Sequence, residues 1–308
     1  MSGRGIDTRA RASFALVVVM LIWGASVPIT KAAIADIPPV LLAWLRFVVA
    51  AALLMPAFRA KRRAGAATPG VRDAVLLGLT GIALYYLGYN VGLRYTSASH
   101  AALLQSAVPA VTAVLAYFWL RERLSPAALV GVVLSIAGVL LIVSGRPQGG
   151  HAPAPLLGNA LVLCAIVSWS VYTILAKRVA QLDPLIVTVA TSVAGVALLA
   201  PAVVVEWLLG ARPRFTWAGI GAIAYLGIVS SALAYALYGA ALRVLGAGQV
   251  TTYVNLMPVV AVAVAAVFLG ERIDARTLVG GAIVLAGVAL ATLPARRGSA
   301  DARGRHRG

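Results

Sequence analysis

The sequence is poor in the side chains that do chemistry: 308 residues hold one cysteine, three histidines and nine acids. A lone cysteine, Cys164, excludes an internal disulfide framework and a thiolate metal site. Metal, acid or base catalysis ordinarily needs Asp, Glu or His in clusters, and here nearly all of them fall in loops and tails. A membrane-embedded enzyme such as a lipid-modifying transferase is therefore disfavoured, and no cofactor or metal is expected. Charge is scarce as well. Only 11% of residues are charged against 61% hydrophobic, with a mean hydropathy of +0.95, whereas soluble domains carry about 25% charged residues. No loop is long enough for a soluble effector region, which argues against a sensory protein.

What the chain does have is long apolar runs, close to the roughly 20 residues that cross a bilayer. They are continuous rather than alternating, so they read as helices, which satisfy their own backbone groups in lipid. Ten spans are expected, near 13–33, 38–58, 74–93, 98–119, 126–144, 157–176, 184–206, 217–239, 247–269 and 276–294. The net charge of +17 reflects topology and not nucleic-acid binding. Of the 26 basic residues, 18 fall in the tails and the links on one side, seven fall in the opposite loops, and Arg46 lies inside the second span. The positive-inside rule then puts both ends in the cytoplasm. Residues 1–12 form a cytoplasmic tail leading into a retained first helix, because the apolar stretch is too long for a signal peptide. Residues 295–308 read as a basic, disordered cytoplasmic tail. Twenty-three arginines against three lysines, with abundant alanine, look like GC-rich bacterial coding.

The chain also repeats itself. Gly78 to Leu141 aligns without a gap on Gly227 to Leu290, pairing Tyr86 with Tyr235, Tyr89 with Tyr238, Pro109 with Pro258 and Glu122 with Glu271. The preceding helices also correspond, Trp23 with Trp169, Lys31 with Lys177 and Pro38 with Pro184. The first repeat is 13–144, a linker loop is 145–156, and the second repeat is 157–294. Five spans per repeat make the copies inverted. Secondary transporters of this design hold substrate near the midplane, where the repeats meet.

Four elements carry a family resemblance: Trp23-Gly24-Ala25-Ser26, Arg46-Phe47, Ser106-Ala107-Val108-Pro109, and the paired blocks Leu120-Arg121-Glu122-Arg123-Leu124 and Leu269-Gly270-Glu271-Arg272-Ile273. In these, and in their duplicated order, the chain resembles the EamA-like ten-helix proteins of the drug/metabolite transporter superfamily. The resemblance implies an all-α integral membrane carrier in a bacterial inner membrane, often an exporter of metabolites, amino-acid-like compounds or drugs by alternating access. It also implies a central cavity lined mostly by helices 1–4 and 6–9. A facilitative uniporter or exchanger without ion coupling is the alternative.

Candidate site residues follow from the repeat. Trp23, Ser26, Trp169 and Tyr172 are related positions on spans 1 and 6, and the tryptophans can box an apolar or cationic ligand. Tyr86, Tyr89 and Asn90 on span 3, with Tyr235 and Tyr238 on span 8, offer polar faces inside the bundle. Gln105, Ser106, Tyr253 and Asn255 lie just before Pro109 and Pro258, which should kink spans 4 and 9 as gates or hinges. Arg46 is costly inside a span; it either binds a carboxylate or phosphate or donates to carbonyls freed by a kink. His100 and Glu206 are the candidates for proton coupling. Glu122 and Glu271 read as loop ion pairs that orient the next helix. Gly78, Gly81, Tyr85, Gly88 and Gly92 form a packing face on span 3. Gly131, Ser135 and Gly138 with Gly280 and Gly287 suit packing of spans 5 and 10, within a protomer or in a homodimer.

Overall fold

Proline at the first helical position lacks an N–H that would be unsatisfied there in any case, and four helices of this chain begin on one. A computed structural model describes residues 2–120, 126–145, 152–245, 253 and 256–291. Its helices are α1 (Ser2–Ala33), α2 (Pro39–Arg63), α3 (Val71–Gly78 continuing through Leu79–Ala83 into Leu84–Tyr95), α4 (Ala98–Gln105 and Val108–Leu120) and α5 (Pro126–Ser144). The second half supplies α6 (Pro155–Ala176), α7 (Pro184–Leu208), α8 (Trp217–Ala224, Tyr225–Leu233 and Ala234–Leu245), α9 (Leu256–Leu269) and α10 (Ala275–Ala291). The protein is an all-α membrane protein. Seven of these helices are long and apolar enough to cross a bilayer, and three shorter apolar helices fall in α5, α9 and α10.

Equivalent helices of the two repeats run in opposite directions. The start of α2 meets the end of α7, where the Glu206 carboxylate accepts the Val40 and Leu41 N–H groups at 3.1 and 2.9 Å. The end of α2 meets the start of α7, where Lys61 bonds Asp183 at 2.7 Å. The pair α5 and α10 is likewise antiparallel: a Cβ on Gly138 would lie 2.6 Å from the Gly280 carbonyl, and one on Gly287 would lie 2.6 Å from that of Gly131. The small-residue faces of these helices therefore pack on each other inside one protomer, and any dimer through α5 and α10 would have to use their other faces.

Two departures from regular helix occupy equivalent places. Leu79–Ala83 in α3 and Tyr225–Leu233 in α8 are both π-helical, a form that often marks functional sites because it needs tertiary support. The glycine face of α3 packs against α6 and α7: a Cβ on Gly78 would meet Ala194 and Gly195, on Gly81 the Tyr172 ring, on Gly92 the Gly158 carbonyl. Helix α4 is interrupted at Ser106 and Ala107, whose N–H groups reach back three residues instead of four, just ahead of Pro109.

The ends named by Lys31 and Glu271 are tied across helices. Lys31 donates to the Leu93 and Thr96 carbonyls at the end of α3, at 2.6 and 2.8 Å. Gly270 adopts a positive φ of 63°, open to glycine at little cost. It turns the chain after α9 so that Glu271 reaches the start of α4, accepting from the Ala98 and Ser99 N–H groups at 2.8 and 2.9 Å and the Ser99 hydroxyl at 2.6 Å. Glu271 is thus a buried helix cap joining the repeats, not a loop ion pair. Glu122 lies outside the described residues.

Candidate functional site

The aromatic and hydroxyl residues singled out by the repeat gather at the two π-helical stretches. Trp23 donates its indole N–H to the Ser230 carbonyl at 3.0 Å, and its ring lies 5.4 and 5.3 Å from those of Tyr235 and Tyr238. Ser26 Oγ is 2.8 Å from Ser230 Oγ. In the other half Trp169 sits 4.9 Å from Tyr172 and 5.0 Å from Tyr85. Tyr85 in turn stacks on Tyr89 at 5.5 Å and meets Tyr86 edge-on at 4.8 Å. Gln105 donates to the Tyr85 hydroxyl at 2.7 Å. One tyrosine thus joins α3, α4 and α6.

Between these groups lies a small, partly open cavity of about 20 Å³, room for about one or two water molecules. The first repeat lines it with Phe47, Gly81 and Ile82; the second contributes Trp169, Tyr172, Tyr235 and Ser231, and three residues of α7, Thr188, Thr191 and Ser192. The walls are aromatic and hydroxylic, and no acid is among them. Thr191 is buried and its hydroxyl has no hydrogen-bond partner among the described residues.

Arg46 stands beside this wall, 5% exposed. Its Nε donates to Ser231 Oγ and one terminal nitrogen to Ser230 Oγ, both at 3.1 Å. The guanidinium also lies over the Tyr86 ring, 4.8 Å from its centre, and the Tyr86 ring meets Phe47 at 4.9 Å. Cation–π contact of this kind contributes about 2 kcal/mol when desolvated. Two hydroxyls and a ring replace the missing countercharge.

Of the expected site residues, Trp169, Tyr172 and Tyr235 line the cavity. Trp23, Ser26, Arg46, Tyr86, Tyr89 and Tyr238 buttress its walls or the π-helical stretches. Tyr253 packs with Tyr238 against α1. The structure does not bring the remaining residues to the wall. Asn90 is fully buried and donates to the Pro39 carbonyl at 3.0 Å. Ser106 is buried with an unpartnered hydroxyl, and Pro109 and Pro258 are not among the lining residues. His100 bonds Thr277 at 3.0 Å, and Glu206 caps α2. Asn255 lies outside the described residues. Sequence reasoning missed Phe47, Ser230, Ser231, Thr188, Thr191 and Ser192, and it counted Tyr85 with the glycines of a packing face. The adjacent serines inside an apolar span were the signal available for Ser230 and Ser231.

Membrane-length apolar helices in two opposed copies around a small aromatic cavity define a multi-pass membrane protein of transporter type. The chain belongs to the EamA-like transporter family, whose profile matches residues 10–144 and again 156–293. It is 32% identical to an uncharacterized transporter of Archaeoglobus fulgidus, over 90% of this chain and 96% of that one. It is 30% identical to a protein of Streptantibioticus cattleyicolor named "probable terminal-alkyne amino-acid exporter", covering 91% and 93% of the two chains. A "probable amino-acid metabolite efflux pump" of Salmonella typhimurium is 29% identical over 89% and 92%. A solved crystal structure matches 94% of this chain and 98% of its own with a TM-score of 0.64 at 23% identity, which bears on the fold.

Proposed function

We propose that this protein is an alternating-access carrier that exports a small amphipathic metabolite, amino-acid-like compound or drug across a bacterial inner membrane. In this reading the chain crosses ten times with both ends in the cytoplasm. The repeats, 13–144 and 157–294, rock about the shared cavity, and Pro109 and Pro258 give α4 and α9 their bends. The observation that carries the reading is the small cavity that both repeats line, with aromatic walls able to hold an apolar body and hydroxyls able to orient a polar end once it opens. Relatives named as amino-acid exporters favour the same class of cargo and the same direction.

Exchange or uniport without ion coupling is the second reading. It is favoured because no acid lines the cavity and Glu206 is engaged as a cap. Were protons coupled, His100 or Glu206 would have to release its present partners during the cycle. The test is counterflow in proteoliposomes over a panel of metabolites and drugs. Saturable exchange is expected, falling at least tenfold in the Trp169→Ala, Tyr172→Ala, Tyr235→Ala triple variant. Wild-type flux in that folded variant would remove the site. Imposing a pH gradient separates the coupled from the uncoupled form.

A further inference from the structure

A guanidinium inside a membrane bundle ordinarily has a partner, because an unpaired charge there is expensive. Arg46 has none of the expected kind: among the described residues no carboxylate lies within ion-pair distance of it. An arginine offers five N–H donors. Two are used, on Ser230 and Ser231, and the other three have no hydrogen-bond partner among the described residues. Its neighbours on both sides open onto the cavity, Phe47 in sequence and Ser231 through the hydrogen bond. On the α7 side of the same cavity the Thr191 hydroxyl is buried and unpartnered, next to Ser192. Arg46, with three unused donors, thus stands directly behind the Phe47 and Ser231 wall of one small chamber. The orphaned Thr191 hydroxyl belongs to the α7 wall of the same chamber.

We propose that this site, widened as the repeats move apart during transport, selects compounds bearing a carboxylate, which Arg46 and the hydroxyls of Ser231, Thr191 and Ser192 receive while Trp169 and Tyr172 hold the apolar remainder. This rests on the carrier reading and narrows it. A guanidinium with free N–H donors matches a carboxylate in geometry and charge. One positive charge balances a monoanion, whereas a phosphate dianion would leave a net negative charge buried among aromatic rings. The cavity contains no acid to receive an ammonium group. The carboxylate is therefore required and an amino group is not, which separates this site from one built for amino acids as zwitterions or for cationic drugs.

Three probes of similar shape test this on the full chain in proteoliposomes: 3-phenylpropionate, L-phenylalanine and phenethylamine. The two acids should exchange with affinities within about threefold of each other, and phenethylamine at least about tenfold more weakly, the factor that one charge-assisted hydrogen bond supplies. Arg46→Gln should lose at least about tenfold for both acids, Arg46→Lys less because it keeps charge without the fork, and Thr191→Val a few-fold. Should Arg46→Gln fail to fold, the wild-type probe comparison and Thr191→Val decide the matter. Exchange of phenethylamine as good as that of the acids, or unchanged acid exchange in folded Arg46→Gln, overturns the inference and leaves the carrier reading standing. Exchange of none of the three also overturns it, and the wider panel then judges the carrier reading separately.

Discussion

At one crossing Gly227 of α8 lies against Val49 and the Arg46 carbonyl of α2; at the other Gly78 of α3 lies against Ala194 and Gly195 of α7. These are the same contact, since Gly227 is the repeat mate of Gly78 and Gly195 that of Val49. The polar filling differs. Beside Gly227, Arg46 binds Ser230 and Ser231; at the matching places the α3–α7 crossing has Ser192, Gly81 and Ile82. Backbone approach has been kept in both copies, because a side chain there would meet atoms under 3 Å away. The charge and its acceptors occur in one copy only. A symmetric scaffold therefore surrounds an asymmetric cavity, with Arg46 behind its α2 wall and, on the α7 side, a Thr191 hydroxyl that has no hydrogen-bond partner among the described residues.

Erasing that asymmetry should have the largest effect. Replacing Ser230 and Ser231 by the residues of the other copy, Gly and Ile, removes both hydroxyl acceptors of Arg46. Stranding a buried charge costs about 3–5 kcal/mol. The double variant is expected to lose most of its monodisperse peak in detergent, or to melt well below wild type. Adding Arg46→Met to it should recover part of the loss, since the charge is then gone. If the serine swap melts like wild type, the hydroxyls are not what holds Arg46, and the two crossings differ less than their residues suggest.

The steric half of the comparison is sharpened by Gly78→Ala and Gly227→Ala. Each new Cβ would lie 2.7 Å from its neighbour, and overpacking of this kind costs about 1–3 kcal/mol. The cost should be larger at Gly78, where the obstruction includes the Gly195 backbone nitrogen and no side chain can rotate away. Thermal unfolding of the two variants side by side measures the difference. Equal melting temperatures would mean that the α2 side yields no more readily than the α7 side.

Much of this arrangement could be read before any coordinates. Run lengths and the duplicated order of Trp, Tyr, Pro and Gly specify the helical bundle directly, because a bilayer fixes helix length and a repeat fixes which faces match. The aromatic residues that recur at matching positions of the two repeats, Trp23 with Trp169 and Tyr86 with Tyr235, were found for the same reason. What escaped is whatever breaks the repeat. Ser230 and Ser231 are matched to Gly81 and Ile82, so a search for paired polar residues passes over them. The π-helical stretches have no local signature, since neighbouring helices decide whether a turn gains a residue. Asn90 and Glu271 were misread because each serves a distant helix end, Asn90 the start of α2 and Glu271 the start of α4, and only the packing tells which end lies nearby.

The two ends of the α2–α7 pair extend the comparison to smaller effects. At one end Glu206 of α7 caps α2 directly, with one carboxylate oxygen on each of two N–H groups. Glu206→Ala leaves both donors unsatisfied at a half-buried site and should cost about 1–2 kcal/mol, read as a fall in melting temperature with α2 and α7 otherwise intact. Gln restores one acceptor oxygen and should cost less. A full-sized effect of Gln would show that the charge, and not the cap, is what matters there.

At the other end α7 supplies its own cap. Asp183 accepts the Leu185 N–H at 2.9 Å and pairs with Lys61 at 2.7 Å. The Lys61 hydrogen bond holds the Asp183 carboxyl below its ordinary value of 3.8. A depressed folded-state value contributes stability above the unfolded one and loses it as pH falls through the folded one, so the window lies below about pH 4. Asn caps a helix as well as Asp, so Asp183→Asn removes the ion pair and keeps the cap. Because both partners are partly exposed, the pair contributes only ~0.2–1 kcal/mol. Melting curves in detergent should therefore place Asp183→Asn slightly below wild type at pH 7, with the gap narrowing as pH falls below about 4 and shrinking in high salt. A gap independent of pH would mean that packing around the side chain, rather than charge, stabilises this end, making it unlike the Glu206 end in mechanism as well as in residues.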